Sequence, residues 1–457
     1  MNKKFKIILF ITLVTNFSLN ALKIYHPTLE KKIKIYNDDI KPQINNDLIL
    51  VKTELVEINI ISKKSIKYGD VITGLHIHTT LYGDIDLHRK YNQEAVLIDI
   101  ITNPYFLRLF RINQYGLSVY SNHNKNLFKR RGFYKYTRGD HSINMAIILA
   151  HFHRPKNEII SALLHDYTHT KCSHLGDALL TKLIEENYEH DIIKKIKYLI
   201  DNTSYKTTAI QDMIFEWYFN ETGLTKILNA YNIRIEEILI ENNPVIKQRS
   251  PNLCADNLEY TLTGGFLSEL FNSDTIFDII SSLEITDENK WGFKDSKISI
   301  AKNFALISIE LDRINSAAPW NAIMNFYGAI LFENALKLNI LTIEDLVFAP
   351  NINDEEIWLK IKNTKSDIIH SLIKKIEKPS KIFRFLKKGN KKSVIIKTKT
   401  RAIDPFILNE KKYLSKINQK IKEQFELHIN KFTKKGFPIK FLNAKDNIDN
   451  RILIRGY

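Results

Sequence analysis

One short run constrains this chain more than anything else in it. In "SALLHDYTHTKCSHLGD" (Ser161–Asp177) an apolar lead-in is followed by three histidines and two aspartates. Ile160, Leu163 and Leu164 recur at helical spacing, so burying them carries His165 and Asp166 to the far end of a helix. His165 and His169 stand four apart and share a face if the helix continues. Upstream, "RGDHSINMAIILAHFHRP" places His141 in the first turn of a second helix, with Asp140 as its N-cap and Pro155 as its stop. Downstream, "NLCADNLEYTLTGG" sets Asp256 in a third helical stretch. A metal at a crossing of these helices would draw two imidazoles and two carboxylates. That mixed nitrogen and oxygen set suits one divalent ion from among Mn, Fe, Mg, Co and Zn. A thiolate-based structural zinc site does not fit. "HDYTH" also imitates the zinc-protease pattern HExxH, but its acid is Asp, one methylene shorter than Glu.

The rest of the chain reads as a mainly helical protein with β segments near its two ends. Residues 46–88 alternate apolar and polar side chains, as strands and hairpins do. From about Glu94 the period changes, and "EAVLIDIITNPYFLRLFRINQYG" reads as a helix that stops at Gly116. Helices of 10–20 residues follow to about Asn363. The segment "KIEKPSKIFRFLKKGNKKSVIIKTKTR" is basic and β-flavoured, with a turn at Gly389-Asn390, and a charged helix closes the chain. Four segments result: 1–21, 22–90 (β-rich), 91–365 (helical and catalytic) and 366–457 (a basic β-hairpin and helix). With 457 residues and only eleven prolines, such a core is well within reach.

The first segment, "MNKKFKIILFITLVTNFSLNA", joins a basic start to an apolar run too short to span a bilayer, the pattern of a secretory signal peptide. An exported protein, periplasmic or secreted, is the expectation, with an uncleaved membrane anchor as the alternative. No later segment approaches a transmembrane length. Cys172 and Cys254 are the sole cysteines, so no disulfide framework exists, and two free, partly buried thiols are expected, with a single bridge as the alternative. The formal charge of +16 comes from lysines spread along the whole chain and reads as a solvated surface. Binding of nucleic acid or of an effector nucleotide by the basic stretch Lys374–Arg401 is the less favoured reading. His76 and His78 fall on one side of a strand as a hairpin-facing pair. Trp320 and Trp358 read as core.

The ordered series His, His-Asp, Asp resembles the signature of the HD superfamily of metal-dependent phosphohydrolases. "HDYTHTKCSH" is similar to the HDxGHxPFSH run of its deoxynucleoside triphosphate triphosphohydrolase branch, which holds the bacterial dGTPases and the vertebrate SAM-and-HD-domain dNTPase. "YGDIDLH", "ITNPYFLRLFRINQYG", "YTRGDHSINM", "ILTIEDLVFAPNINDEEIWLKI" and "TKTRAIDPFIL" resemble further segments of that branch in the same order. The resemblance runs from about Tyr82 to Leu408. It implies an HD-domain helical fold in which His141, His165, Asp166 and Asp256 hold the metal. It places Gln114 and Arg138 near sugar and phosphates, and Tyr260 against the deoxyribose. His169, His174, Asp177 and His190 fall at acid/base or leaving-group positions. The implied reaction is hydrolysis of a (deoxy)nucleoside triphosphate at the α-phosphorus, releasing nucleoside and inorganic triphosphate; the implied assembly is a homo-oligomer. The alternatives are an exported phosphodiesterase, nucleotidase or single-strand nuclease, or a silent nucleotide-binding effector. The chain departs from the branch at several positions. Thr168 replaces a glycine, Lys171-Cys172 a Pro-Phe pair, Cys254 an acidic residue found in some members, and Asn257 the basic residue after the last aspartate, which removes one phosphate contact.

Overall fold

The computed structural model of the chain describes residues 24–25, 49–61, 74–121, 136–202, 210–238, 243–386 and 394–442. The segment 1–21 expected to be a signal peptide, the Gly389-Asn390 turn and residues 387–393 of the basic stretch lie outside them. The fold is mainly α-helical with three small sheets. Among the described residues no helix is long and apolar enough to cross a membrane.

The first sheet combines β1 (Ile24–Tyr25), β2 (Ile49–Lys52), β3 (Val56–Ile61), β4 (Gly74–Thr79) and β5 (Gly83–His88) in the order β1-β5-β4-β3-β2. Its alternation is that of a half-buried sheet: Ile58, Leu75, Ile77, Ile85 and Leu87 point into the core. His76 and His78 share the other face, opposite Asp86 and Asp84 of β5 at 2.7 and 2.5 Å.

The long helix expected from Glu94 to Gly116 is broken in two. A helix covers Asn92–Ile101, and Asn103 then caps a short Pro104–Leu107 turn by accepting from the Tyr105 amide at 2.8 Å. Pro104 has no N–H to give the preceding turn and fits the first helical position, so the chain restarts there. A sheet also appears where helices alone were expected. Strands β6 (Leu283–Ile285) and β7 (Trp291–Phe293) form a hairpin, and β10 (Phe406–Ile407) joins β7 in parallel, with β11 (Lys412–Tyr413) beyond.

The expected C-terminal hairpin is corrected as well. Strands β8 (Phe383–Phe385) and β9 (Val394–Ile396) do not pair with each other; β12 (Phe437–Phe441) lies between them and pairs antiparallel with both. The charged helix Gln419–Ile429 therefore leads into a strand instead of ending the chain. In β12 Ile439 and Phe441 are buried while Lys440 is exposed, so the strand has an inner face to bury and bonds to give on both edges.

The helix Arg138–His151 sits at the centre, with every residue from Arg138 to Ala150 buried. It packs against the helices Lys156–Leu164 and Ala255–Leu267. Those three helices carry the donors singled out above.

Candidate metal centre

The capping of the Arg138–His151 helix differs by three residues from the expected pattern. Thr137 is the N-cap, and Asp140 is the third residue of a capping box in which each side chain bonds the other's backbone. Asp140 also accepts from Thr53 Oγ1 at 2.5 Å, which ties the helix start to the β2–β3 turn. Pro155 caps the next helix rather than stopping this one, which ends at His151. His165 is the C-cap of the Lys156–Leu164 helix, and Asp256 lies in the first turn of Ala255–Leu267.

The four expected ligands converge. The Nε2 atoms of His141 and His165 lie 3.1 Å apart. Asp256 Oδ1 is 3.2 Å from His141 Nε2 and 3.8 Å from His165 Nε2. Asp166 Oδ1 is 3.3 Å from His165 Nε2, and its Oδ2 is 4.0 Å from His141 Nε2. His141, His165 and Asp166 are all buried.

The outer nitrogens explain why this pair of lone pairs can meet. His141 Nδ1 bonds Glu259, a fully buried carboxylate that also takes Tyr136 Oη, Asn144 Nδ2 (2.9 Å) and Thr263 Oγ1 (2.6 Å). His165 Nδ1 donates to the Ala162 carbonyl at 3.1 Å. Both protons are thereby drawn to Nδ1, and both Nε2 lone pairs face each other. Two imidazole acceptors and two carboxylates at such distances repel unless a cation lies between them. That donor set fits a divalent metal ion. Without one, a proton on His141 fills the role: burial depresses its pKa, but Glu259, Asp256 and Asp166 outweigh burial and hold it at about 10. Burial keeps the His165 imidazole below its ordinary value. For Asp256 the opposing effects are burial and the bond from His141, and the imidazoles hold it below the usual carboxylate range.

Asp166 links the cluster to Arg138 and His169. Arg138 Nη1 donates to its Oδ2 at 2.7 Å, and His169 Nε2 lies 3.1 Å from its Oδ1. Burial would raise this carboxyl; Arg138, then His165 and His169, hold it well below the ordinary value. The helix does not continue to His169 as the four-residue spacing suggested. Residues 165–168 turn, and the His169 amide bonds the Asp166 carbonyl at 3.0 Å, so the two imidazoles flank Asp166.

His169, His174 and Asp177 form a second cluster, with donor atoms all within 4.8 Å of one another. His174 Nδ1 is 3.7 Å from Asp177 Oδ2. Burial, then the charges of Arg138 and Arg401, push His174 down to about 3, whereas burial lifts Asp177 to about 6. Ser173 joins the clusters: its Oγ accepts from both Nε (3.1 Å) and Nη2 of Arg138. Cys172 and Ser173 both adopt positive φ, at 60° and 61°. Asp354 holds that loop in place, accepting from the amides of Cys172 (3.0 Å) and Asn113 (2.8 Å).

An open cavity of about 120 Å³ adjoins the centre and brings together Gln114, Arg138, His174 and Tyr260. The other wall carries Asp312, Asn315 and Arg401, none of which the sequence alone singled out for a role, and Trp320, which was read as core. Trp358 is core, stacked on Tyr120 at 4.5 Å. Gln114 Oε1 and Asp312 Oδ1 are buried without partners among the described residues. His190 stands elsewhere: its partners are Glu344 at 3.4 Å and the Ile192 amide at 3.3 Å. Cys172 and Cys254 are buried and unbridged.

No protein-family model matches the chain. It is similar to the "Metal-dependent phosphohydrolase cns2" of Cordyceps militaris, 28% identical over 282 residues, which cover 62% of this chain and 69% of that one. The chain is a distant homologue of a metal-dependent phosphohydrolase. It is also similar to the "Uncharacterized protein YdhJ" of Bacillus subtilis, 24% identical over 78% of this chain and 98% of that one. The convergent histidines and aspartates are of the residue types that hold a divalent ion.

Proposed function

We propose that this protein is a metal-dependent hydrolase of (deoxy)nucleoside triphosphates that acts at the α-phosphorus and releases nucleoside and inorganic triphosphate. The observation that carries the reading is the junction of two sites. Arg138 bonds the ligand Asp166 and also lines the cavity that holds Gln114 and Tyr260. The phosphate and the sugar of one substrate then have adjacent berths.

His141, His165, Asp166 and Asp256 would hold a divalent ion, which when bound would supply Lewis acidity and make water more acidic at neutral pH. The protein's own groups do the rest. Arg138, clamped by Asp166 and Ser173, neutralises charge that develops on the phosphoryl oxygens. His174, with Asp177 Oδ2 3.7 Å from its Nδ1, is the group placed to pass a proton, and the carboxylate would stabilise the imidazolium formed. Gln114 offers an unpaired carbonyl oxygen to a sugar hydroxyl, and Tyr260 a flat wall.

Product analysis tests this directly. Incubated with each dNTP and NTP and with Mn, Fe, Mg or Co, the wild type is expected to form inorganic triphosphate, and Asp166→Asn none. Release of pyrophosphate or orthophosphate instead would transfer the reading to a nucleotidase or phosphodiesterase.

A further inference from the structure

Asn257 stands where the resembled branch carries a basic residue, and its side chain is committed elsewhere. Its Oδ1 accepts from the Cys254 amide at 2.9 Å, its Nδ2 donates to the Asn252 carbonyl at 2.6 Å, and the residue is buried. It caps the helix that carries Asp256 and brings no positive charge to a phosphate. Arg138 is in turn bound to Asp166 and Ser173. A triphosphate brings more negative charge than Arg138, engaged as it is, and Arg401 on the cavity wall offset.

A second cation stands at the centre, from a different stretch of chain. The segment before Asp256 folds back on it: the Ala255 amide bonds the Val245 carbonyl at 2.8 Å, and the Asp256 amide bonds that of Ile246 at 3.1 Å. Lys247 is thereby set beside Asp256, and its Nζ is held by Asp212 Oδ2 at 2.8 Å. Burial alone would lower this ammonium, yet Asp212, Asp256 and Asp166 carry it above its ordinary value, and its charge in turn helps to depress His165. Side chains of Lys247 and Asp256 are 36% and 26% exposed, whereas those of His141, His165 and Asp166 are almost sealed. The centre therefore opens to solvent on the side where Lys247 stands.

We infer that Lys247, steered by Asp212, is a further phosphate-binding cation of this site, taking an oxyanion of the substrate at the open edge of the metal centre beside Asp256. The inference rests on the hydrolase reading above and names a residue of that same site. A lysine suits the task as a compact point charge whose three donors can be shared between Asp212 and a phosphate oxygen.

The test uses inorganic triphosphate as the probe, titrated calorimetrically into the metal-loaded full-length protein, with metal content measured on every variant. Lys247→Gln is expected to weaken binding about tenfold or more at unchanged metal content. Lys247→Arg is expected to restore most of it, and Asp212→Asn, which leaves the ammonium in place, to weaken it far less than Lys247→Gln. A Lys247→Gln variant that holds metal and binds triphosphate like the wild type overturns the inference. So does an equal loss in the Gln and Arg variants, which would mark Lys247 as structural. KM for the preferred nucleotide separates the two readings. Turnover with KM unmoved by Lys247→Gln removes the lysine site and leaves the hydrolase. Triphosphate binding that depends on Lys247, in a protein that turns over no nucleotide, removes the hydrolase reading and leaves the site.

Discussion

At the scale of single residues, the chemistry depends on which nitrogen each histidine offers. Glu259 decides this for His141, because a carboxylate on Nδ1 leaves Nε2 as the lone pair. Glu259→Gln keeps the shape but weakens that preference, so metal affinity is expected to fall about 10- to 100-fold, read by competition with a chelating dye. An unchanged affinity would mean that the bond is structural only. Asp177 gives a pH signature. Burial raises its carboxyl to about 6, so it is ionised above that pH and protonated below it. The profile of kcat/KM is expected to drop on the acid side of about 6. Asp177→Asn should run roughly 100-fold slower with that limb gone. A wild-type limb retained unchanged in Asp177→Asn would assign it to another group. The four candidate metal ligands are legible in the sequence because each ends or begins an apolar helical run. Glu259 is legible in part, since it follows Asp256 by three on the same helix. Asp312 and Arg401 are not, because a bond from the Arg401 amide to Asp312 Oδ2 spans 89 positions that no local period reports.

At the scale of elements, the loop between the helices Lys156–Leu164 and His174–Glu185 is held by two close fits to glycines. Thr170 presses against Gly176, where an added Cβ would stand 1.5 Å from Thr170 Oγ1. Gly176→Ala is expected to cost about 1–3 kcal/mol of stability in denaturant melts. Adding Thr170→Ala, which removes Oγ1 but keeps a Cβ 2.6 Å away, should recover part of that loss, and additive losses in the double variant would exclude the contact as the cause. Gly116 meets the same loop from the other side. Its φ is +52°, and a Cβ there would lie 2.5 Å from the Cys172 carbonyl oxygen. Helix periodicity marks where the helices run but not where Pro104 restarts one or where Thr137 begins another. Capping depends on which side chain reaches which amide, and Thr137 and Asp140 are both good candidates by composition. Strand partners are harder still. The segments 383–385 and 394–396 look like two arms of one hairpin until β12, more than forty residues on, supplies a partner for each.

At the scale of the whole molecule, distant segments are tied to one point. The first sheet reaches the centre through Thr53 on Asp140 and through Tyr82, whose hydroxyl bonds Thr263 at 2.9 Å. The C-terminal helix reaches the cavity wall through His428, whose Nε2 lies 2.8 Å from Asp312 Oδ2. Fold class is legible from the switch between period two and period three to four, and the site from the order of its donors. The closure of the cavity by residues 312–325 and 401 is not, because it belongs to packing between elements far apart in the chain. The most direct measurement is the metal content of the purified protein, by elemental analysis after dialysis against each divalent ion. One ion per chain is expected in the wild type, and close to none in His141→Ala or Asp256→Ala variants that keep the wild-type circular dichroism. A folded wild type that retains no divalent ion under any loading condition, or a folded Asp256→Ala protein that retains a full equivalent at wild-type affinity, would contradict it.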